Sequence, residues 1–293
     1  MSEARHKPST LVREAASLFH LLGGMTPKHL VIVGGLVPPL LVPGAESPHV
    51  GSADIDLSLS VAITEGATSE YYKSIENVIS PYFDLVEGGF RWRKKDGVGG
   101  VPIRIDFLGP EVEATGLEDG SLRLEDGNAA TNTGRRLRPF PLRAGHLVDA
   151  DAEQLKVEDV ELIYRDGAHT NVVIRHAGPV GFLASKADAL DGRDDSKDGY
   201  DIAWWCINAK PTAEEVAQLL IERPAFRDSY FQESVAKLDE AFKAPNYVGP
   251  DGYARESNPG LSPGDDVFER DRNLAWQVVS SVIGLLRESL WEE

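Results

Sequence analysis

The sequence predicts an α/β (α+β) core of mixed strands up to about residue 177, followed by a helical bundle over 178–293. Three observations carry that reading. The apolar run Leu30-Val-Ile-Val33 ends in Gly34-Gly35. Apolar and polar residues then alternate with the period of a half-buried strand over 54–60 and again over 101–108. After Gly178 the apolar spacing turns helical and stays so to Trp291.

Composition bounds the function classes. At 293 residues, 42% hydrophobic and 26% charged, the chain has the make-up of an ordinary globular protein. Thirty basic against forty-seven acidic residues leave a net charge of -17, which excludes a surface that attracts nucleic acid everywhere. A polyanion would have to be met locally, at Arg91-Trp-Arg-Lys-Lys95 or along 135–143; a solvated charged hairpin or loop accounts for either stretch equally well. The single cysteine, Cys206, sits in an apolar run, rules out an intrachain disulfide and fits a reducing compartment. With no run of about 18 apolar residues and no signal-like start, a cytoplasmic chain with no membrane partner is expected.

In chain order, Pro8-Ser9-Thr10 opens a helix whose apolar residues Leu11, Ala15, Leu18, Phe19 and Leu22 recur at helical spacing. Pro38 and Pro39 are tolerable only in the first turn of a helix over 36–41. A helix is expected over 69–79, strands over 83–87 and 90–94, loops with short strands over 109–145, and a hairpin of 157–164 with 170–175. Four helices follow, over 179–190, 197–207, 212–221 and 229–242. A loop is expected over 244–266, rich in Pro, Gly, Asn and Asp, and then a last helix over 267–291 with Leu274, Val278, Val282, Leu285 and Leu286 as its apolar stripe.

The chemistry concentrates on the alternating strands. Side chains point to opposite faces in turn, so Asp54, Asp56 and Ser58 share one face while Ile55, Leu57 and Leu59 take the other. Asp106 adds a third carboxylate on a strand of the same kind. Carboxylates side by side repel unless a cation or protons intervene, and magnesium is the natural partner. Gly34 and Gly35, lacking Cβ atoms, would let phosphate oxygens approach the backbone. A polar edge strand with aspartates capping turns would give the same residues. Lys186 and Arg193 lie seven apart on one helix face, suited to triphosphate charge, with Asp198 and Asp201 at the start of the next helix. A salt-bridged helix pair without chemistry would account for any one of these residues, and less readily for the set. A two-metal nuclease or phosphatase would use the same carboxylates but has no need of the glycines, Lys186 and Arg193. The seven histidines lack ligand spacing for zinc.

Taken together, Gly34-Gly35, Gly51-Ser52-x-Asp54-x-Asp56, Asp106, and Lys186-x-x-Ala-Leu-x-x-Arg193-x-x-x-Lys197-Asp198-x-x-Asp201 resemble the nucleotidyltransferase superfamily, and within it the AbiEii and MenT toxins of bacterial toxin–antitoxin systems. The resemblance spans about 29–207. It implies a polymerase-β-like core with a mixed sheet, over 1–177, and a C-terminal helical domain, over 178–293, that contributes Lys186 and Asp198 or Asp201 to the site. It implies magnesium as cofactor and a nucleoside triphosphate as donor, with CTP, GTP, UTP and ATP all open. It also implies transfer to the 3′ end of tRNA, which blocks translation, and a cognate antitoxin as partner. On this reading Asp54 and Asp56 are metal ligands, and Asp106 is the third ligand or the base. Gly34, Gly35, Ser52, Lys186 and Arg193 bind the nucleotide, and Ser52 is also a candidate for phosphorylation. Leu36 stands where the family has Ser or Thr. That departure keeps open a catalytically weak protein that binds or regulates a partner, or one that nucleotidylates a protein.

Overall fold

The computed structural model describes residues 5–23, 30–59, 69–87, 89–110, 137, 139–192 and 196–291. The chain forms two compact units: Met1–Leu36 with Gly51–Ala177, and Val37–Val50 with Gly178–Glu293. The segment 37–50, which the sequence reading placed with the strands, groups with the helices.

The first unit is built on an open mixed sheet. Helix α1 (Pro8–Leu22) starts with a proline in its first turn and buries Leu11, Ala15, Leu18, Phe19 and Leu22. It packs against β7 (Glu153–Glu161) and β8 (His169–His176). Strand β1 (Leu30–Val33) is buried along its whole length because it lies inside the sheet, antiparallel to β2 (Asp54–Leu59) and parallel to β8. Strand β2 pairs in parallel with β5 (Arg104–Pro110). That parallel pairing needs a long crossover, which contains α3 (Ser69–Ile79) and the hairpin of β3 (Phe83–Glu87) and β4 (Arg91–Lys94). The sheet order is β3-β4-β5-β2-β1-β8-β7, with the short β6 (Phe140–Leu142) paired to β5. Strand β6 and the six-residue α4 (Gly145–Ala150) bear on the loop expected over 109–145, of which 111–136 and 138 lie outside the described residues.

Beneath the sheet hairpin lies a buried ion pair. Lys94 Nζ donates to both oxygens of Glu14 at 2.8 Å, and each side chain is 2% exposed. Tyr164 Oη and the Val101 amide also donate to Glu14. Burial lowers the Lys94 pKa, with Glu14 acting against it. Within the expected basic patch over 91–95, Lys94 is internal, Lys95 bonds the Ser80 carbonyl, Arg91 belongs to the site described below and Arg93 stays exposed.

In the second unit, α2 (Val37–Leu41) is joined by α5 (Pro179–Gly192), α6 (Ser196–Ala209), α7 (Ala213–Ile221), α8 (Ser229–Ala241), α9 (Val248–Ser257) and α10 (Asp266–Trp291). Thr212 and Glu215 close a reciprocal capping box at the start of α7. Helix α9 replaces the first half of the loop expected over 244–266. Gly and Pro read as loop signals there, but Pro250 sits in the first turn and the glycines serve helix contact. A Cβ on Gly252 would stand 2.3 Å from the Ser196 carbonyl, and one on Gly199 2.6 Å from that of Gly249, so α9 and α6 touch backbone to backbone. In α10 the buried stripe is Phe268, Ala275, Val279, Val282, Ile283, Leu286 and Leu290; Leu274, expected inside, is 40% exposed. Among the described residues no helix is long and apolar enough to cross a membrane.

Replacing Lys94 by Met is expected to lower unfolding free energy by about 3–5 kcal/mol, since it leaves Glu14 charged, buried and without its cation. Chemical denaturation reads this directly. Adding Glu14→Leu should restore part of the loss.

Candidate functional site

Residues paired in register across a sheet point to the same face, as do residues two apart on one strand. The register Asp54↔Arg104, Asp56↔Asp106 and Ser58↔Leu108 between β2 and β5 therefore places all three predicted carboxylates on a single face. Strand β4 extends it through Arg91↔Asp106 and Arg93↔Arg104, and β1 through Val33↔Asp56. The opposite face carries Ile55, Leu57, Ile105 and Phe107, all fully buried. Burial of that apolar set is what fixes the register, because a slip of one residue would turn the aspartates into the core.

The carboxylates are compensated by arginine. Arg91 forks onto Asp106, with Nε to Oδ1 at 2.9 Å and Nη2 to Oδ2 at 2.7 Å. Arg104 Nη2 donates to Asp54 Oδ2 at 2.9 Å. These pairs remain 10–28% solvent-exposed. Asp56 lies against the turn that follows β1: Gly34 has φ +70°, and a Cβ there would stand 2.0 Å from Asp56 Oδ2. Gly34 thus provides both the left-handed backbone and the space in which the Asp56 carboxylate rests. Gly35 and Leu36 complete that turn and are buried, and the helix that follows spans only Val37–Leu41. Ser52 is buried too, its backbone bridged to His6.

The second predicted cluster forms a buried ion network inside the helical unit. Lys186 Nζ bonds Asp198 Oδ1 at 2.7 Å and Asp201 Oδ2 at 2.6 Å. Lys197 Nζ reaches Asp201 at 3.1 Å, and His49 Nε2–H donates to the other Asp201 oxygen at 3.0 Å. Although burial opposes both charges, Lys186 is held above its ordinary pKa by Asp198 and Asp201, and Asp201 well below the carboxylate range by Lys186 and Lys197. Burial drives the His49 pKa down more strongly than Asp201 raises it. The ring is neutral with its proton on Nε2, since a carboxylate only accepts. Tyr200 Oη meets the Val50 amide and Trp204 Nε1 the Ser47 carbonyl, so 47–50 is fastened to α6. The triphosphate role expected for Lys186 meets a side chain 6% exposed with both neighbouring carboxylates on its ammonium. Arg193 lies outside the described residues.

Asp54, Asp56 and Asp106 are the residues expected to hold magnesium. The donors are the hard oxygens that magnesium prefers, yet Asp54 and Asp106 hold guanidinium groups. Among the described residues, no group of three or more His, Cys, Asp or Glu side chains could hold a metal ion. Sequence reasoning missed Arg91 and Arg104 as counter-ions, although Arg104 and Asp106 visibly share a strand face. It also missed His49, which carries no spacing signal.

No family model and no curated protein matches the chain. Among solved structures, an antigenic nucleotidyltransferase-like protein from Paracoccidioides brasiliensis is similar at 13% identity and a TM-score of 0.41, covering 83% of this chain and 92% of that one. JHP933 from Helicobacter pylori is similar at 12% identity and a TM-score of 0.42, covering 99% and 96%. Superpositions this loose carry no weight for function, which has to be argued from the residues.

Alanine at Gly34 is expected to lower unfolding free energy by about 1–2 kcal/mol for the left-handed backbone alone, and to displace Asp56 as well. Denaturation curves read the first effect, and whatever activity the face supports reads the second. His49, faced by Asp201, Lys186 and Lys197, has a folded pKa below its unfolded value near 6.5. Its contribution is whole above pH 6.5 and is lost as pH falls through the folded value. Stability should therefore decline from pH 7.5 to 5.5, and His49→Gln should flatten that decline in denaturation curves.

Proposed function

We propose that this chain is a nucleotidyltransferase, moving a nucleoside monophosphate from a nucleoside triphosphate to an acceptor hydroxyl. The observation that carries the reading is the single sheet face on which Asp54, Asp56 and Asp106 meet Arg91 and Arg104, bordered by the Gly34 turn. In the reaction, the acceptor oxygen forms a bond to the α-phosphorus, the bond from that phosphorus to the bridging oxygen breaks, and pyrophosphate leaves. Asp106, oriented by the Arg91 fork, takes the proton of the acceptor hydroxyl. The guanidinium groups offer donors to the triphosphate oxygens.

Magnesium belongs to this reading as an ion that Asp54, released from Arg104, and Asp56 would hold, with Asp106 serving either as the base or, released from Arg91, as a third ligand; it would neutralise phosphate charge. Lys186, Asp198 and Asp201 serve as the scaffold of the helical unit. The acceptor in this reading is the 3′ end of tRNA, and the outcome a block of translation restrained by an antitoxin. Those finer assignments rest on the motif resemblance to AbiEii and MenT toxins. Arginine compensation of two carboxylates favours a second reading, a weakly active protein that binds or regulates a partner.

The two readings separate in one experiment. Each of four α-labelled nucleoside triphosphates is incubated with magnesium and total RNA or total protein, using the wild type and the Asp54→Ala, Asp56→Ala double variant. Label in RNA that falls to background in the double variant is the expected result, and label in protein instead would change the acceptor. No label in either pool from the wild type would overturn transfer in favour of the second reading.

A further inference from the structure

The carboxylate face has an aromatic corner. Strand β6 pairs with β5 through Leu108↔Phe140, and Leu108 shares its face with Asp106, so Phe140 stands on that face one step beyond the Arg91–Asp106 pair. Its side chain is 48% exposed. Behind it the Phe90 ring lies 5.3 Å away at a tilt of 54°, and Phe90 is capped by the Arg91 guanidinium 5.4 Å from its centroid. A continuous line of Asp106, Arg91, Phe90 and Phe140 thus runs from the reacting carboxylate to an open ring.

Leaving a phenyl group in water forgoes the stabilisation its burial would bring. Among the described residues, Phe140 and Trp291 are the large aromatic side chains so exposed, and Trp291 ends the C-terminal helix. Phe140 sits beside the site, within the sheet unit.

We propose that Phe140 is the stacking platform for the base of the nucleoside triphosphate whose phosphates meet Arg91 and Arg104. The inference rests on the transfer reading and adds where the base goes. One flat apolar ring among arginines and carboxylates suits a planar heteroaromatic ligand that carries anionic groups, and every nucleobase has such a π-face. A protein partner would need a wider apolar area, whereas Phe140, the Phe90 ring and Leu108 are bordered on this face by Asp106 and the arginines. Stacking alone discriminates weakly among bases, so all four nucleotides should use the ring.

The test is calorimetric binding of ATP, CTP, GTP, UTP and inorganic tripolyphosphate, with magnesium, to the full-length wild type, Phe140→Ala and Phe140→Trp. The expected result is about ten-fold or greater loss of affinity for the nucleotides in Phe140→Ala, with tripolyphosphate binding unchanged. Phe140→Trp should retain nucleotide affinity, and its added indole fluorescence should be quenched by nucleotide. Wild-type nucleotide affinity in Phe140→Ala would overturn the platform and leave the transfer reading standing. A wild type that binds neither nucleotides nor tripolyphosphate would overturn both.

Discussion

Carboxylates crowded onto one face of a sheet need cations, and this molecule meets that need with its own arginines. The need arises from packing. Ile55, Leu57, Ile105 and Phe107 are driven into the core, and strand alternation then leaves Asp54, Asp56 and Asp106 together on the other side. Arg91 and Arg104 stand in the same register rows, so the compensation is encoded by the same two-residue period that creates the repulsion. Gly34 completes the arrangement by giving Asp56 room at the end of β1.

The helical unit answers a different problem with the same chemistry. Asp198 and Asp201 are 0–1% exposed and held by Lys186, Lys197 and His49, which ties the stretch 47–50 to α6. Losing one member of such a buried set costs about 3–5 kcal/mol, because the remaining charge is stranded. That cost makes the cluster a poor exchange partner for a passing phosphate and a good fastening. The same holds for Glu14 and Lys94 under the sheet hairpin.

Much of this was legible in the sequence, for identifiable reasons. The strands around Asp54 and Asp106 and the helices after Gly178 have long, clean periods, and those elements form where the pattern puts them. Helix α9 was hidden because Gly249, Pro250 and Gly252 resemble loop residues. The two glycines let two helix backbones approach, which depends on a neighbour distant in the chain. The stripe of α10 rotated from Leu274 to Ala275 for a related reason, since an isolated helix does not reveal which of two adjacent rows its neighbours will cover. At the site, the carboxylates were visible and their partners were not: Arg91 and His49 acquire meaning only from strand pairing and from burial against α6.

Exposure decides where chemistry can happen among these ion pairs. The Lys186 pairs and the Glu14 pair exclude water almost completely, so an incoming ion would have to strip a buried charge of its partner. Arg91–Asp106 and Arg104–Asp54 remain partly open, their side chains 10–28% exposed. A divalent cation carries more charge than one guanidinium and can take its place on a carboxylate, while a triphosphate can take the carboxylate's place on a guanidinium. Among these three clusters the sheet face is the one where charge compensation is exchangeable, which is the property that the proposed nucleotidyl transfer would use.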